Sequence, residues 1–197
     1  ITNSAIENNK QLLAIKNFQS GKINNKIIRN NINGITLDSG STGNEISNND
    51  LVRNLEYDLK NNQNVEINAL NNWWGSRYNF GIGSAIIDFF DINTLGKVDF
   101  TPFLIVPVIS LEGNNAPVLS AIGSRSVKVG EELEIRLIGI YRDNDKLRFA
   151  LDADNIINEV SFDAKTGLFS WTPANEDAGK NYNIIFEVSD GYLTDEE

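Results

Sequence analysis

The chain has no cysteine and no histidine, only four prolines, and few basic side chains: 17 Lys and Arg against 27 Asp and Glu in 197 residues, a formal charge of −10. Without Cys there is neither a disulfide framework nor a thiolate metal site. Without His the usual imidazole base and the His-ligated zinc or copper centres are excluded as well. A pI near 4.5 argues against nucleic acid as a partner, because phosphate affinity rests on clustered Lys and Arg. Long apolar runs are also missing. The longest candidate is broken by Pro102 and Pro107, so no stretch approaches the roughly 18 residues of a membrane-spanning helix. The first residues show neither a basic region nor the apolar segment of a signal peptide, and the chain is expected to be an internal piece of a larger protein.

What is present is unevenly distributed. Residues 1–111 hold 9 basic and 10 acidic side chains, a net of −1, whereas residues 112–197 hold 8 and 17, a net of −9. Asparagine is skewed the other way, with 20 of 29 in the first 80 positions, more than a solvated surface needs. Between the two compositions runs Val106-Pro107-Val108-Ile109-Ser110-Leu111-Glu112-Gly113-Asn114-Asn115-Ala116-Pro117. Its prolines, glycine and Asn pair mark a linker. The expected organisation is a first domain over 1–108, a linker over 109–116 and a second domain over 117–197.

The first half repeats. Asn24-Asn25-Lys26-Ile27-Ile28-Arg29-Asn30 returns 24 residues later as Asn48-Asn49-Asp50-Leu51-Val52-Arg53-Asn54. The Asn pair recurs as Asn71-Asn72, and Ile6-Glu7-Asn8-Asn9 reads as a degenerate earlier copy. A period in the low twenties is too short for helical-hairpin repeats and fits leucine-rich repeats or the coils of a parallel β-helix. Short β-branched segments separated by Asn and Gly turns, without Leu at fixed spacing, favour the β-helix. Stacked coils lie about 4.8 Å apart, so Asn side chains at one turn position can pass amide hydrogen bonds up the stack. Asn also tolerates the left-handed backbone of tight turns. Asn24, Asn25, Asn48, Asn49, Asn71 and Asn72 are therefore expected to be ladder and turn elements. Arg29 and Arg53, 24 apart, are expected to stack on one outer face, as solvated or ion-paired side chains or as a site for an anion or a polysaccharide carboxylate.

After the repeats come Ile67-Asn68-Ala69-Leu70-Asn71-Asn72-Trp73-Trp74-Gly75-Ser76, Ile86-Ile87-Asp88-Phe89-Phe90-Asp91, and Leu95-Gly96-Lys97-Val98-Asp99-Phe100-Thr101-Pro102-Phe103-Leu104. In combination these resemble the last coil and C-terminal cap of right-handed parallel β-helix proteins of the pectate-lyase-like superfamily, particularly the repeats of NosD-like periplasmic and surface proteins. A solenoid must cover the apolar open end of its last coil. Trp73, Trp74, Phe80, Phe89, Phe90, Phe100 and Phe103 are expected to do this, with stacking on sugar rings as the alternative use of the tryptophans.

The second half has the rhythm of short alternating strands between Gly, Asp, Asn and Pro turns. They are Ser126–Val129, Leu133–Ile138, Leu147–Leu151, Val160–Phe162, Leu168–Trp171 and Tyr182–Val188. Six such strands in about 80 residues indicate an immunoglobulin-like β-sandwich, so the whole chain is expected to be all-β. Asn115-Ala116-Pro117-Val118-Leu119, Phe162-Asp163-Ala164-Lys165-Thr166-Gly167-Leu168-Phe169-Ser170-Trp171-Thr172-Pro173, Asp177-Ala178-Gly179 and Val188-Ser189-Asp190-Gly191-Tyr192 resemble cadherin-like, dystroglycan-type and related Ig modules of extracellular proteins. That resemblance implies one more edge strand after Asp190-Gly191, which is expected to be missing here. Asp143, Asn144 and Asp145 in one loop, with Asp190 near the other end, offer oxygen ligands of the kind Ca²⁺ needs; turn formation is the alternative, and no other cofactor is implied.

The carboxylates of the repeats, Asp38, Glu45, Asp50 and Glu56, do not recur at a coil-to-coil spacing that would pair two of them for acid–base work. The expected function is therefore that of a non-catalytic structural or adhesive segment of a larger secreted or cell-surface microbial protein. Its expected contacts are protein, glycan, other domains of the same protein, or copies of itself in a filament or sheath. The alternative is the C-terminal accessory part of a polysaccharide lyase or hydrolase whose active site lies upstream.

Overall fold

β-branched residues between Asn and Gly turns favour strands over helices, and strands dominate. The computed structural model describes residues 4–7, 13–15, 21–109, 112–143, 146–153, 156 and 160–197. Among these, one five-residue helix, α1 (Asn79–Gly83), and one 3₁₀ turn (Asn175–Asp177) are the only helical elements; the protein is all-β. Contacts divide it into one unit of 1–77 and 82–112 and another of 78–81 and 113–197. Residues 78–81, inside the range expected for the first domain, thus group with the second.

The first unit carries eleven strands: β1 (Ser4–Glu7), β2 (Leu13–Ile15), β3 (Lys22–Asn24), β4 (Lys26–Arg29), β5 (Asn33–Leu37), β6 (Glu45–Ser47), β7 (Asp50–Val52), β8 (Tyr57–Asn61), β9 (Ile67–Asn68), β10 (Ile86–Ile87) and β11 (Val98–Asp99). All their pairings are parallel, and successive strands join different sheets in rotation. One sheet runs β1-β4-β7, a second β2-β5-β8-β10, and β3 pairs with β6 while β9 pairs with β11. Parallel neighbours cannot be joined by a tight hairpin; here the chain reaches each partner by way of the other two sheets. The register stacks like on like, Ile28 against Leu51, Ile23 against Ile46, and Ile35 against Leu59, which in turn pairs with Ile86. These side chains form one apolar cluster with Leu37, Ile67, Ala69, Trp74, Ile82 and Val98.

The repeat is 23 residues long where Ile28 meets Leu51 but 24 where Ile35 meets Leu59, so one residue is gained between those strands. The 24-residue sequence alignment consequently slips by one at β4. Arg29 lies beside Val52, not Arg53. A one-residue slip would send every strand side chain to the opposite face, and the buried Ile28–Leu51 stack excludes it. Asn8 and Asn9, read as a degenerate copy, lie outside the described residues.

The second unit continues with β12 (Val118–Leu119), β13 (Leu133–Arg136), β14 (Gly139–Ile140), β15 (Arg148–Asp152), β16 (Val160–Asp163), β17 (Leu168–Trp171), β18 (Ile185–Ser189) and β19 (Thr194–Glu196). All pair antiparallel: β13-β17-β16, β15-β18-β19 and β12-β14. Their inner faces share a core that includes Leu119, Ile135, Leu137, Phe149, Leu151, Phe169, Trp171, Phe186 and Val188. The β16–β17 turn is set by Asp163, whose carboxylate accepts the N–H of Lys165 (2.8 Å) and of Thr166 (3.2 Å). Those bonds, the Lys165 N–H above all, hold its carboxyl below the usual range.

Two expectations about strands change. Ser126–Val129 is not hydrogen-bonded as a strand, because no neighbouring strand pairs with it. The end of the chain, where the last strand was expected to be missing, forms β19 beside β18, with Phe186 and Glu197 exchanging main-chain hydrogen bonds of 2.8 and 3.0 Å.

Coil stacking leaves no room for a side chain at Gly34, where a Cβ would lie 2.0 Å from the main-chain oxygen of Asp58. Gly34→Ala is expected to destabilise the fold by about 3 kcal/mol or more, since backbone must move. Gly83→Ala, with nothing within 4 Å, is expected to stay within about 0.5 kcal/mol of the parent. Urea unfolding of the two variants checks the contrast.

Candidate functional site

The polar machinery of the first unit is concentrated at its corners. Asn25, Asn48 and Asn71 have left-handed backbones, with φ of 53°, 55° and 56°, a conformation that Asn tolerates better than most residues. Their main chains form a ladder, Asn25 N–H donating to Asn48 O at 2.9 Å and Asn48 N–H to Asn71 O at 2.9 Å. One position on, a second ladder is made by side chains. Asn49 Oδ1 accepts from Lys26 N–H (3.0 Å), and Asn49 Nδ2 donates to Ile23 O (2.8 Å) and to Asn72 Oδ1 (3.0 Å). Asn72 Oδ1 also accepts from Asn49 N–H (3.0 Å), and its Nδ2 donates to Ile46 O (2.8 Å) and Ala69 O (2.7 Å).

The six asparagines singled out from sequence therefore have different jobs. Asn25, Asn48 and Asn71 bend the chain, and Asn49 and Asn72 bridge coils from fully buried positions. Asn24 belongs to neither set: it lies in β3, paired with Ser47. Lys26 occupies the bridging position of its coil, and its main-chain N–H joins the bridge.

Sequence reasoning missed a second asparagine corner. Asn54 Oδ1 accepts from the main-chain N–H and the Nδ2 of Asn31 (3.1 and 3.0 Å). Asn54 in turn donates from Nδ2 to Ile28 O (3.0 Å) and to Asp58 Oδ1 (2.8 Å). Here the left-handed residues are Asn30 and Arg53, φ 55° and 59°. Arg53 thus holds a turn position, which is why it does not stack on Arg29. The signal was present as Asn30-Asn31 followed 23 residues later by Arg53-Asn54, visible only once the register is 23.

Trp73 and Trp74 are 1% and 2% exposed, so neither offers a face to a sugar. Trp74 packs edge-on to Phe100, with centroids 6.4 Å apart, and Phe100 touches Phe103; both phenylalanines lie against the coil core. Phe80, Phe89 and Phe90 do not close that core and are exposed, Phe90 by 79%. Phe89 and Phe90 pack edge to face, with Lys97 Nζ 5.6 and 5.4 Å from their ring centres. The excess of aromatics made all seven look like one cap, whereas four are buried or half-buried and three face outward.

Asp50 is a buried carboxylate with a structural duty. Oδ1 accepts the N–H of Val108 at 2.7 Å and Oδ2 that of Ile109 at 3.1 Å, tying the segment after the last strand to the β7 corner. Burial pushes its carboxyl up to about 6, against the opposing pull of the two N–H groups and the Arg29 charge. Asp88 works similarly, accepting Val98 N–H at 2.7 Å and Phe90 N–H at 2.9 Å.

Of the calcium candidates, Asp143 accepts both the main-chain N–H (2.6 Å) and the Nδ2 (2.8 Å) of Asn115. Asp190 is buried and closes the β18–β19 turn, accepting Tyr192 N–H (2.7 Å), Leu193 N–H (2.8 Å) and Asn114 Nδ2 (2.7 Å). Asn144 and Asp145 lie outside the described residues. Among the described residues, no group of three or more acidic side chains converges on a metal-sized space. No family model, curated protein or solved structure matches the chain.

Replacing Asn49 by Leu takes the side-chain partner from Ile23 O and Lys26 N–H at this corner and removes one of the two donors to Asn72 Oδ1, which keeps the Asn49 N–H. Asn49→Leu is expected to cost about 3–5 kcal/mol, because each unsatisfied group costs about 1–3, while Asn24→Ala is expected to cost under about 1 kcal/mol; equilibrium unfolding distinguishes them. A second expectation concerns pH. The folded state keeps the Asp50 proton to a higher pH than the unfolded chain does. Protonation therefore stabilises the fold, fully below the ordinary value of 3.8, and this contribution is lost as pH rises through about 6. Melting temperatures of the parent and Asp50→Asn across that window should show the parent losing ground to the variant as pH rises; a parent advantage that grows with pH would contradict the assignment.

Proposed function

We propose that residues 1–108 are the C-terminal coils and cap of a right-handed parallel β-helix, and that residues 117–197 form a cadherin-like or Ig-like β-sandwich. Together they serve as a non-catalytic structural or adhesive scaffold in a secreted or cell-surface protein, contacting protein or glycan. The observation that carries this reading is the buried Asn49–Asn72 bridge between parallel strands stacked at an offset of 23 residues. It is a device for making a stiff stack rather than a cleft. The use of carboxylates supports the same conclusion: Asp50, Asp58 and Asp88 are buried and accept hydrogen bonds that shape the fold. Acid–base catalysis on a polysaccharide needs carboxyl groups presented to the substrate. Burial of Trp73 and Trp74 moves any glycan contact away from the tryptophans and onto exposed surface such as Phe89–Phe90.

The test is to incubate the 197-residue chain with a panel of neutral and acidic polysaccharides, following co-sedimentation and the release of reducing or unsaturated ends. Retention on an insoluble glycan without release of ends is expected. Release that continues beyond one equivalent per chain would overturn the scaffold reading in favour of an enzyme.

A further inference from the structure

After the last parallel strand the chain runs along the coils as Leu104-Ile105-Val106-Pro107-Val108-Ile109. Leu104 N–H donates to Asn72 O at 2.9 Å. Beyond it, among the described residues, residues 105–109 are hydrogen-bonded to one group alone, the Asp50 carboxylate, through Val108 N–H at 2.7 Å and Ile109 N–H at 3.1 Å. Their side chains add little to this. Phe103 is the last residue packed against the coil core, and Ile105, Val106 and Val108 are 63%, 62% and 40% exposed. A segment with so few buried contacts, held by two bonds to a single side chain, opens more readily than the fold beneath it.

The anchor itself is firmly placed. Asp50 lies in β7, is bridged to Trp73 of the next coil and is fully buried. Its neighbour Leu51 belongs to the core and donates its N–H to Trp73 O at 2.9 Å. The coils fix Asp50, and Asp50 fixes the segment. Burial opposes the charge on this carboxylate more strongly than Val108 N–H, Ile109 N–H and Arg29 of β4 support it. Neither residues 104–109 nor residues 71–74 of the adjoining coil carry an ionisable side chain, so Arg29 is the charge that bears on it.

We propose that residues 105–109 form a strap that lifts from the coils as a unit, with Asp50 as its latch, and that the strap is held most firmly when Asp50 is protonated. Lifting brings water to Asp50 and returns its carboxyl from about 6 to the ordinary 3.8. The closed strap thus keeps a proton that the open strap releases. Its extra hold is complete below 3.8 and is lost as pH rises through about 6. The inference uses the strap and its latch alone and is independent of the scaffold reading.

The test is amide hydrogen exchange on the whole 197-residue chain between about pH 4 and pH 7, each rate corrected for the intrinsic rate at that pH. The Val108 and Ile109 amides are expected to be at least about a hundredfold less protected than Leu51, because they exchange through the open strap and Leu51 through unfolding of the coils. Their protection is expected to fall by about ten- to fiftyfold across that range, the effect of one carboxyl moving between the two values above. In Asp50→Asn, with Leu51 protection confirming that the coils are folded, the fall is expected to vanish. Protection of Val108 and Ile109 equal to that of Leu51 in the parent would overturn the proposal, since the segment would then open only with the coils. Weak protection that does not change with pH, or a fall that persists in Asp50→Asn, would overturn it as well, since Asp50 would then not be the latch.

Discussion

Parallel strands stacked in short coils expose a difficulty at every corner: the main chain must turn, and its N–H and C=O groups are buried between neighbouring coils where water cannot satisfy them. The first unit resolves this with the asparagine side chain. Asn49 spans three coils, taking Lys26 N–H on one side and reaching Ile23 O, while binding Asn72 on the other. An amide carries both a donor and an acceptor at nearly the spacing of a peptide unit, so it can substitute for main chain that has left the ladder. The apolar stacks of Ile28 on Leu51 and Ile35 on Leu59 depend on this, because only a corner of fixed length keeps them in register.

The same reasoning accounts for the carboxylates. Asp58 takes the place of an asparagine at the end of the Asn31–Asn54 chain, Asp50 ties down the segment at Val108 and Ile109, and Asp88 collects Val98 and Phe90. Each carboxylate accepts where donors converge at the edge of the repeating pattern, and no further coil supplies an amide. In the second unit Asp163, Asp177 and Asp190 act similarly on turns. The acidity of that half is in part an inventory of turn clamps.

Which face a residue takes was legible where chemistry repeats, and obscure where it is interrupted. The asparagine bias and the repeat point to stacked coils, but the alignment that maximises identity offsets the coils by 24 and sets Asn24-Asn25 on Asn48-Asn49, whereas the packed core offsets them by 23 there and sets Asn25 on Asn48 and Lys26 on Asn49. Identity rewarded matching Arg29 with Arg53. Packing rewarded matching Ile28 with Leu51, and burial of aliphatic side chains outweighs stacking of two arginines, whose like charges repel. The aromatic cluster was misjudged for a related reason: composition shows how many rings follow the repeats, but not that Phe89 and Phe90 lie outward beside Lys97 while Trp73 and Trp74 lie inside.

By itself the sequence determined the all-β character, the coil length to within a residue, and the exclusion of thiol and imidazole chemistry, since these depend on local propensity, periodicity and residue inventory. Only the tertiary structure decided which asparagine turns and which one bridges, that Asp50 and Asp190 serve the backbone, and that Thr194–Glu196 forms a strand beside β18. Those outcomes depend on which main-chain groups, distant along the chain, arrive at the same corner lacking partners. That is a property of register and stacking, and no single stretch of residues carries it.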